Sequence, residues 1–262
     1  LPKNINIKIL EQPPLTSNIE RNSLTVIRQN FVEPRTPGKP NPNHAEATIE
    51  AIKRGVQFVK NGQCSAICTM PISKSILKEG ANFPFPGHTE YLAHLDESKN
   101  YAMMLVNKYL RVVPVTIHIP IKDITKYLNT ELIEKTIKTT HQELNRRFSI
   151  SNPNIWVSGL NPHAGENGTI GDEEKKFIIP IIKKLQSEGY NLLGPLSADT
   201  MFYGKKRPRF DAAICMYHDQ ALIPIKTLDF HTSVNLTIGL SFIRTSPDHG
   251  TAFDIAGRNL AN

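Results

Sequence analysis

Long hydrophobic runs are missing from this sequence. None approaches the roughly 20 residues that a membrane span requires, and no signal peptide is visible, so a membrane protein is excluded as an expectation. Cysteine is scarce and odd in number: Cys64, Cys68 and Cys215, each in an apolar stretch. That excludes a disulfide framework, and the spacing of Cys64 and Cys68 excludes a C-x-x-C redox motif. Reduced, buried thiols and a cytoplasmic setting are expected. The dinucleotide fingerprint G-x-G-x-x-G occurs nowhere, which leaves a standard Rossmann site unsupported. Aromatic residues make up only 7% of the chain, and none interleaves with its densest basic run, Lys205 to Arg209. The run reads as a solvated loop, and a nucleic-acid partner is discounted. The sequence opens at Leu1 rather than methionine, and an upstream piece is expected to be missing.

What is present is enough chain, 262 residues, for one large α/β unit or two lobes. The net charge of +7 favours anionic partners such as phosphate metabolites or dinucleotides. Apolar, β-branched runs predict strands at 5–10, 23–28, 64–69, 102–107, 111–119, 155–160, 211–217, 222–226 and 234–239. The 64–69 run is expected to be buried. Helical spacing predicts a helix capped by Asn43, with Ile49, Ile52, Val56 and Val59 on one face and Gly62 past its end. A second runs from Glu131 to Phe148 over Ile133, Ile137, Leu144 and Phe148. A third opens with Asp172, Glu173 and Glu174, where carboxylates complement the helix dipole, and ends at Gly189. Alternating strands and helices indicate an α/β protein with a largely parallel sheet. The Pro-rich stretch 83–87 is the best candidate hinge.

Three histidines follow predicted strands: His118 after Val112–Ile117, His163 after Ile155–Pro162, and His218 after Ala212–Tyr217. In a parallel sheet all three emerge near the carboxyl edge, where open α/β sheets bind ligands. One histidine there is most often structural; three in equivalent positions fit a divalent-metal site with room for substrate. His44, His94, His141 and His231 show no such pattern. Asp219 follows His218 and can orient an imidazole. Gly87-His88-Thr89-Glu90 offers amides, a hydroxyl and an imidazole at a helix start, a setting suited to phosphate. Lys226, Asn235 and Arg244, on or beside the last strands, are costly to bury without an anionic partner, although an internal ion pair is the competing explanation for the two cations. The Asp248 to Gly257 loop has small residues around a histidine and two carboxylates, a composition able to wrap an adenosine.

Taken together, Gly87–Glu90, Asn161–Glu166, Tyr217–Gln220, Phe242–Ser246 and Asp248–Ala252 resemble the 4-hydroxythreonine-4-phosphate dehydrogenase family of vitamin B6 biosynthesis. The likeness runs from the first strands to Asn262. It implies a two-lobed fold like that of isocitrate and isopropylmalate dehydrogenases, with mostly parallel sheets and an interlobe cleft. Residues 1–82 and 257–262 would form the first lobe, and 83–256 the second. The resemblance implies one divalent metal on His118, His163 and His218, shared across a homodimer interface. Zinc suits three imidazoles, and magnesium, cobalt or manganese can serve when substrate oxygens complete the shell. It also implies substrate contacts from His88, Thr89, Lys226, Asn235 and Arg244. NAD or NADP is expected at His249, Gly250, Thr251, Ala252, Asp254 and Asn262. Lys74, Asp219 and Asp248 are the candidates for proton transfer.

The implied reaction is NAD(P)-dependent oxidation and decarboxylation of 4-phosphooxy-L-threonine to 3-amino-2-oxopropyl phosphate, on the way to pyridoxal 5'-phosphate. Alternatives are a sister dehydrogenase of a threonate or erythronate phosphate, a phosphate acyltransferase, and a non-catalytic metabolite-binding protein. The sequence departs from the family pattern in places. The opening strand–helix segment, roughly 50 residues and more than one βαβ unit, is absent, as is the closing helix, so a trimmed chain with an unfinished first lobe is expected. Phe230–Ser233 is poorer in glycine than the family pattern, and Ser241 stands where proline is usual. The named ligands are all intact.

Overall fold

A computed structural model describes residues 5–14, 22–203 and 210–260 of the chain. The basic run Lys205–Arg209 and the cofactor candidate Asn262 lie outside the described residues. Two compact units result: residues 1–97, 241–244 and 249–262 form the first, and residues 98–240 and 245–248 the second. The Pro-rich stretch 83–87 lies inside the first unit.

In the first unit, β1 (Asn6–Leu10) pairs in parallel with β2 (Ser23–Ile27). Helix α1 (Ala45–Lys60) buries Ile52 and Val56 as its spacing predicts, and Gly62, at φ 73°, follows its end. Asn43 does not cap it. The Asn41 side chain instead accepts a hydrogen bond from the Asn43 N–H, starting a single 3-10 turn, Pro42–His44, that leads into α1. An upstream Asn with proline next to it is the stronger start signal. The strand expected at 64–69 shrinks to β3 (Ala66–Cys68), and it is not buried: Ala66 and Cys68 are both exposed. Small apolar residues at a sheet edge read like core residues in a sequence. Of the three thiols, only Cys215 is buried. Helices α2 (Lys74–Ala81) and α3 (His88–Asp96) complete this unit.

The second unit is built on β4 (Ala102–Val106), β5 (Arg111–Thr116), β6 (Ile155–Ser158), β7 (Leu192–Leu196), β8 (Ala212–Tyr217) and β9 (Val234–Ile238). Their order is β9-β4-β5-β8-β6-β7. β5, β8, β6 and β7 run parallel, while β4 is antiparallel to both neighbours. Met104, Val113, Ile155, Val157 and Ile214 pack in one core; Leu105, Val112, Ala213 and Cys215 pack in another. A sheet covered on both faces needs continuous apolar strands, which is why these segments do not alternate with polar residues. Each fully buried Leu, Ile or Val contributes about 1.5–3 kcal/mol.

The short helix α4 (Ile124–Tyr127) and the long α5 (Thr130–Phe148) follow β5. Asn129 caps α5 by accepting from the Leu132 N–H, and Ile133, Ile137 and Leu144 face the core. After β6 a π turn, Glu174–Ile178, leads into α6 (Ile179–Ser187), and α7 (Ala198–Met201) follows β7.

The strand expected at 222–226 is wrong: these residues lie in α8 (His218–Leu228). Ala221, Leu222 and Ile225 are buried while Ile223 is exposed, which is helical spacing within a run too short to show its period. Pro224 removes only one intrahelical donor. Two strands escaped the sequence reading. β7 contains Gly194 and Pro195, which normally demote a strand. β10 (Ile243–Pro247) is divided between the units, its first two residues in the first and the rest in the second. Among the described residues no helix is long and apolar enough to cross a membrane.

Candidate active site

The sheet register places two of the three histidines together. Thr116 pairs with Tyr217 at the ends of β5 and β8, so His118 and His218 leave the same edge of adjacent parallel strands. Their ring centroids are 5.8 Å apart. A cavity of about 170 Å³ is lined by both rings together with Thr116, Ile124, Tyr217 and Asp219. Asp219 Oδ1 lies 2.6 Å from His218 Nδ1. That contact fixes the ring and leaves Nε2 as the nitrogen for a metal, the usual support of a metal-binding imidazole. His118 has a left-handed backbone, φ 53°.

His163 is not part of that pair. It lies in the turn after β6, and its charge helps hold the Asp199 carboxyl below the ordinary range, after the larger effect of the Ser197 hydroxyl. Among the described residues no group of three or more His, Cys, Asp or Glu side chains is arranged to hold a metal. The donor chemistry of His118 and of His218, the latter oriented through Nδ1, suits a divalent ion.

The His163 turn has an unusual backbone. His163, Ala164, Gly165, Glu166 and Asn167 are all left-handed, with φ between 39° and 76°. Each non-glycine residue there costs about 1–2 kcal/mol. Glu174, in the first helical turn as its dipole-complementing reading expects, is 2% exposed and points at the His163 turn. Gln220, also buried, accepts from Ser158 Oγ and the Met216 N–H and donates to the Gly159 carbonyl, joining the ends of β6 and β8. The sequence reading gave neither residue a role at the site. The glycines at 165, 168 and 171 were the available signal for a left-handed turn; its clamp could not be located without the fold.

In the first unit, His88 opens α3 and Arg244 lies on β10. Arg244 is 3% exposed and donates to Thr69 Oγ1 from Nε at 3.1 Å and from an Nη at 2.8 Å. Burial pulls its pKa down to about 10 against the raising effects of Cys68 and Glu90. Burial, and then the charge of Arg244, lowers His88 to about 4, so this imidazole is neutral at physiological pH. His88 Nε2 is buried with no hydrogen-bond partner among the described residues. Thr89 follows, half-buried, on α3. Gly87 fits between two charged side chains: a Cβ on it would lie 3.2 Å from Glu90 Oε2 and 3.5 Å from Lys74 Nζ.

In the second unit, Lys226 Nζ is 2.9 Å from Asp248 Oδ2, an ion pair whose angles miss those of a hydrogen bond. Lys226 therefore sits on helix α8 with a carboxylate partner. Asn235, on β9, has a buried Oδ1 without a partner among the described residues. Of the proton-transfer candidates, Asp219 and Asp248 are thus both engaged, and Lys74 starts α2 on the surface.

The loop 249–257 belongs to the first unit. Thr251, Phe253 and Ala256 line a cavity of about 650 Å³ opposite Arg35, Gly38 and Lys39. Gly38 is required there: it has φ 75°, and a Cβ would stand 3.0 Å from the Phe253 carbonyl oxygen. Ala252 is left-handed at φ 46°, and His249 Nδ1 lies 2.8 Å from the Gly250 carbonyl oxygen. Asp254 sits in the 3-10 turn Phe253–Ile255, exposed.

The family of the pyridoxal phosphate biosynthetic protein PdxA matches residues 2–262. The chain belongs to the PdxA family. It is 53% identical over 243 residues to 4-hydroxythreonine-4-phosphate dehydrogenase of Paracoccus denitrificans, covering 91% of this chain and 76% of that one. The enzyme of the same name from Roseobacter denitrificans is 51% identical over 263 residues, covering 100% and 81%. The crystal structure of 4-hydroxythreonine-4-phosphate dehydrogenase from Klebsiella pneumoniae superimposes with a TM-score of 0.89 at 38% identity, covering 99% of this chain and 78% of that one. The PdxA fold is therefore also the fold of this chain, a mostly parallel α/β architecture.

Proposed function

We propose that the chain is a metal-dependent NAD(P) oxidoreductase that oxidises and decarboxylates 4-phosphooxy-L-threonine in vitamin B6 biosynthesis. The observation that carries this reading is the His118–His218 pair, with Asp219 on its Nδ1 side, at the carboxyl edge of a PdxA-family sheet. In the protomer His163 lies near Asp199 instead. The third imidazole comes from a second copy of the chain, as the family resemblance implies, and the active unit is a homodimer. Bound there, a divalent cation supplies Lewis-acid polarisation of the C3 oxygen, and NAD or NADP supplies the hydride acceptor.

The chain's own residues bind and orient. In the first unit, neutral His88, Thr89 and Arg244 hold the substrate phosphate: His88 Nε2 is buried without a hydrogen-bond partner among the described residues, and the buried Arg244 guanidinium is oriented by Thr69. Lys226 and Asn235, in the second unit, are the further substrate contacts that the family resemblance implies. Lys74, Asp219 and Asp248 are the candidates for taking the C3 hydroxyl proton; Asp219 orients His218 and Asp248 pairs with Lys226. Hydride transfer to the nicotinamide and loss of the hydroxyl proton leave a 3-oxo acid; its carboxylate departs as carbon dioxide, and the resulting enolate takes a proton at C2 to give 3-amino-2-oxopropyl phosphate. The cavity beside Thr251, Phe253 and Ala256 receives the adenosine, and Arg35 and Lys39 on its wall suit the cofactor's phosphates. His249, Gly250, Ala252 and Asp254 belong to the same loop.

Reduced nicotinamide and released carbon dioxide, followed with the full chain, a divalent metal and either 4-phosphooxy-L-threonine or threonate 4-phosphate, test the assignment. Equimolar formation of both products with the amino acid is expected. Turnover of the hydroxy acid alone would transfer the chain to the sister dehydrogenases.

A further inference from the structure

Five successive left-handed residues persist only where their surroundings over-determine them; at the entry to the His163 turn Glu173 Oε2 accepts from Asn161 Nδ2 at 2.7 Å, and Glu174 makes the larger set of contacts. Glu174 Oε1 accepts from the N–H groups of Leu160, at 2.8 Å, and Asn161, at 2.7 Å. Its Oε2 accepts from Asn161 Nδ2 at 2.9 Å. The turn closes directly onto this carboxylate: a Cβ on Gly165 would lie 2.5 Å from Oε2, and one on Gly159 would lie 3.1 Å from Oε1. Glu174 also opens the π turn Glu174–Ile178, a widened turn found mostly at functional sites.

We infer that Glu174 is a positioning residue: it holds the entry to the left-handed turn, packs against its middle residue Gly165, and so sets where the His163 imidazole stands as a metal ligand. The inference rests on the reading of His163 as a ligand. It adds a second support of a different kind from Asp219, which orients His218 through the ring itself. Glu174 acts on His163 through the neighbouring chain, through the Leu160 and Asn161 N–H groups and the Asn161 side chain before the turn and its approach to Gly165 within it. Its removal leaves the His118–His218 pair intact and displaces the third imidazole.

The test measures Zn²⁺ affinity of the full chain by competition with a chromophoric chelator, with circular dichroism and thermal melting on the same samples. Glu174→Ala should fold and bind Zn²⁺ about 10–100-fold more weakly, the usual effect of losing an outer partner of a metal site. Glu174→Gln keeps one acceptor oxygen for the two backbone N–H groups and should lose less. Gly165→Ala, which forces a methyl onto the carboxylate, should reproduce the loss from the other side of the contact and decides the matter with Glu174→Gln if Glu174→Ala does not fold. His163→Ala should bind at least as weakly as Glu174→Ala, and the double variant Glu174→Ala/His163→Ala no more weakly than His163→Ala alone. Additive losses, or wild-type affinity in folded Glu174 variants while His163→Ala is impaired, would overturn the positioning role. Wild-type affinity in His163→Ala would instead remove the ligand reading on which it rests.

Discussion

Burial beside Arg244 keeps His88 neutral down to about pH 4, against 6.5 for an ordinary histidine. The unfolded chain takes up that proton near pH 6.5 and the folded chain only near 4. The stability tied to neutral His88 is therefore complete above pH 6.5 and lost as pH falls towards 4. The ceiling is about 3 kcal/mol for a shift of this size. Thermal melts at pH 7 and pH 4.5 should show a smaller acid loss for His88→Asn than for wild type; equal losses would show that His88 is not the buried neutral group. Arg244→Lys keeps the charge but gives up the two-nitrogen contact with Thr69. Steady-state kinetics should show KM for the phosphorylated substrate rising about tenfold or more, as expected for a charged hydrogen bond, with a smaller change in kcat. Both side chains were legible in the sequence because a lone arginine among apolar residues and a histidine at a helix start are unusual chemistry. Thr69 was not, since 175 positions separate it from its guanidinium partner.

At the scale of elements, legibility followed length. The α5 stripe of Ile133, Ile137 and Leu144 shows its period over five turns, whereas Ala221–Lys226 is too short to separate helix from buried strand. The His163 turn was visible only as a glycine-rich stretch, because propensities describe residues one at a time and five left-handed conformations in series are imposed by tertiary contacts. Gly239 marks a similar constraint: it has φ 88°, and a Cβ would collide with the Asn100 carbonyl oxygen, whereas Gly62, at φ 73°, faces open space. Gly62→Ala should cost about 1 kcal/mol for the left-handed backbone alone. Gly239→Ala adds a backbone clash and should cost roughly twice that or more, lowering Tm by about 4–8 °C in a chain of this size. Differential scanning calorimetry of the two variants compares them directly, and equal shifts would contradict the close approach at Gly239.

At the scale of the whole molecule, the scarcity of cysteine, the missing Rossmann fingerprint and the net charge of +7 agree with a phosphate-handling α/β enzyme. The ordering of histidines along the chain carried the rest, because parallel strands convert sequence order into a shared edge. What sequence order does not carry is which copy of the chain supplies each ligand: in the protomer His118 and His218 stand 5.8 Å apart between ring centroids and His163 stands elsewhere. Anomalous diffraction at the zinc edge, from crystals of the full chain loaded with Zn²⁺, locates the cation outright. One strong peak per chain is predicted about 2.0–2.1 Å from a ring nitrogen of each of His118 and His218, with the third nitrogen from His163 of a second copy. Zinc bound at another site, with those two rings unliganded, would contradict it.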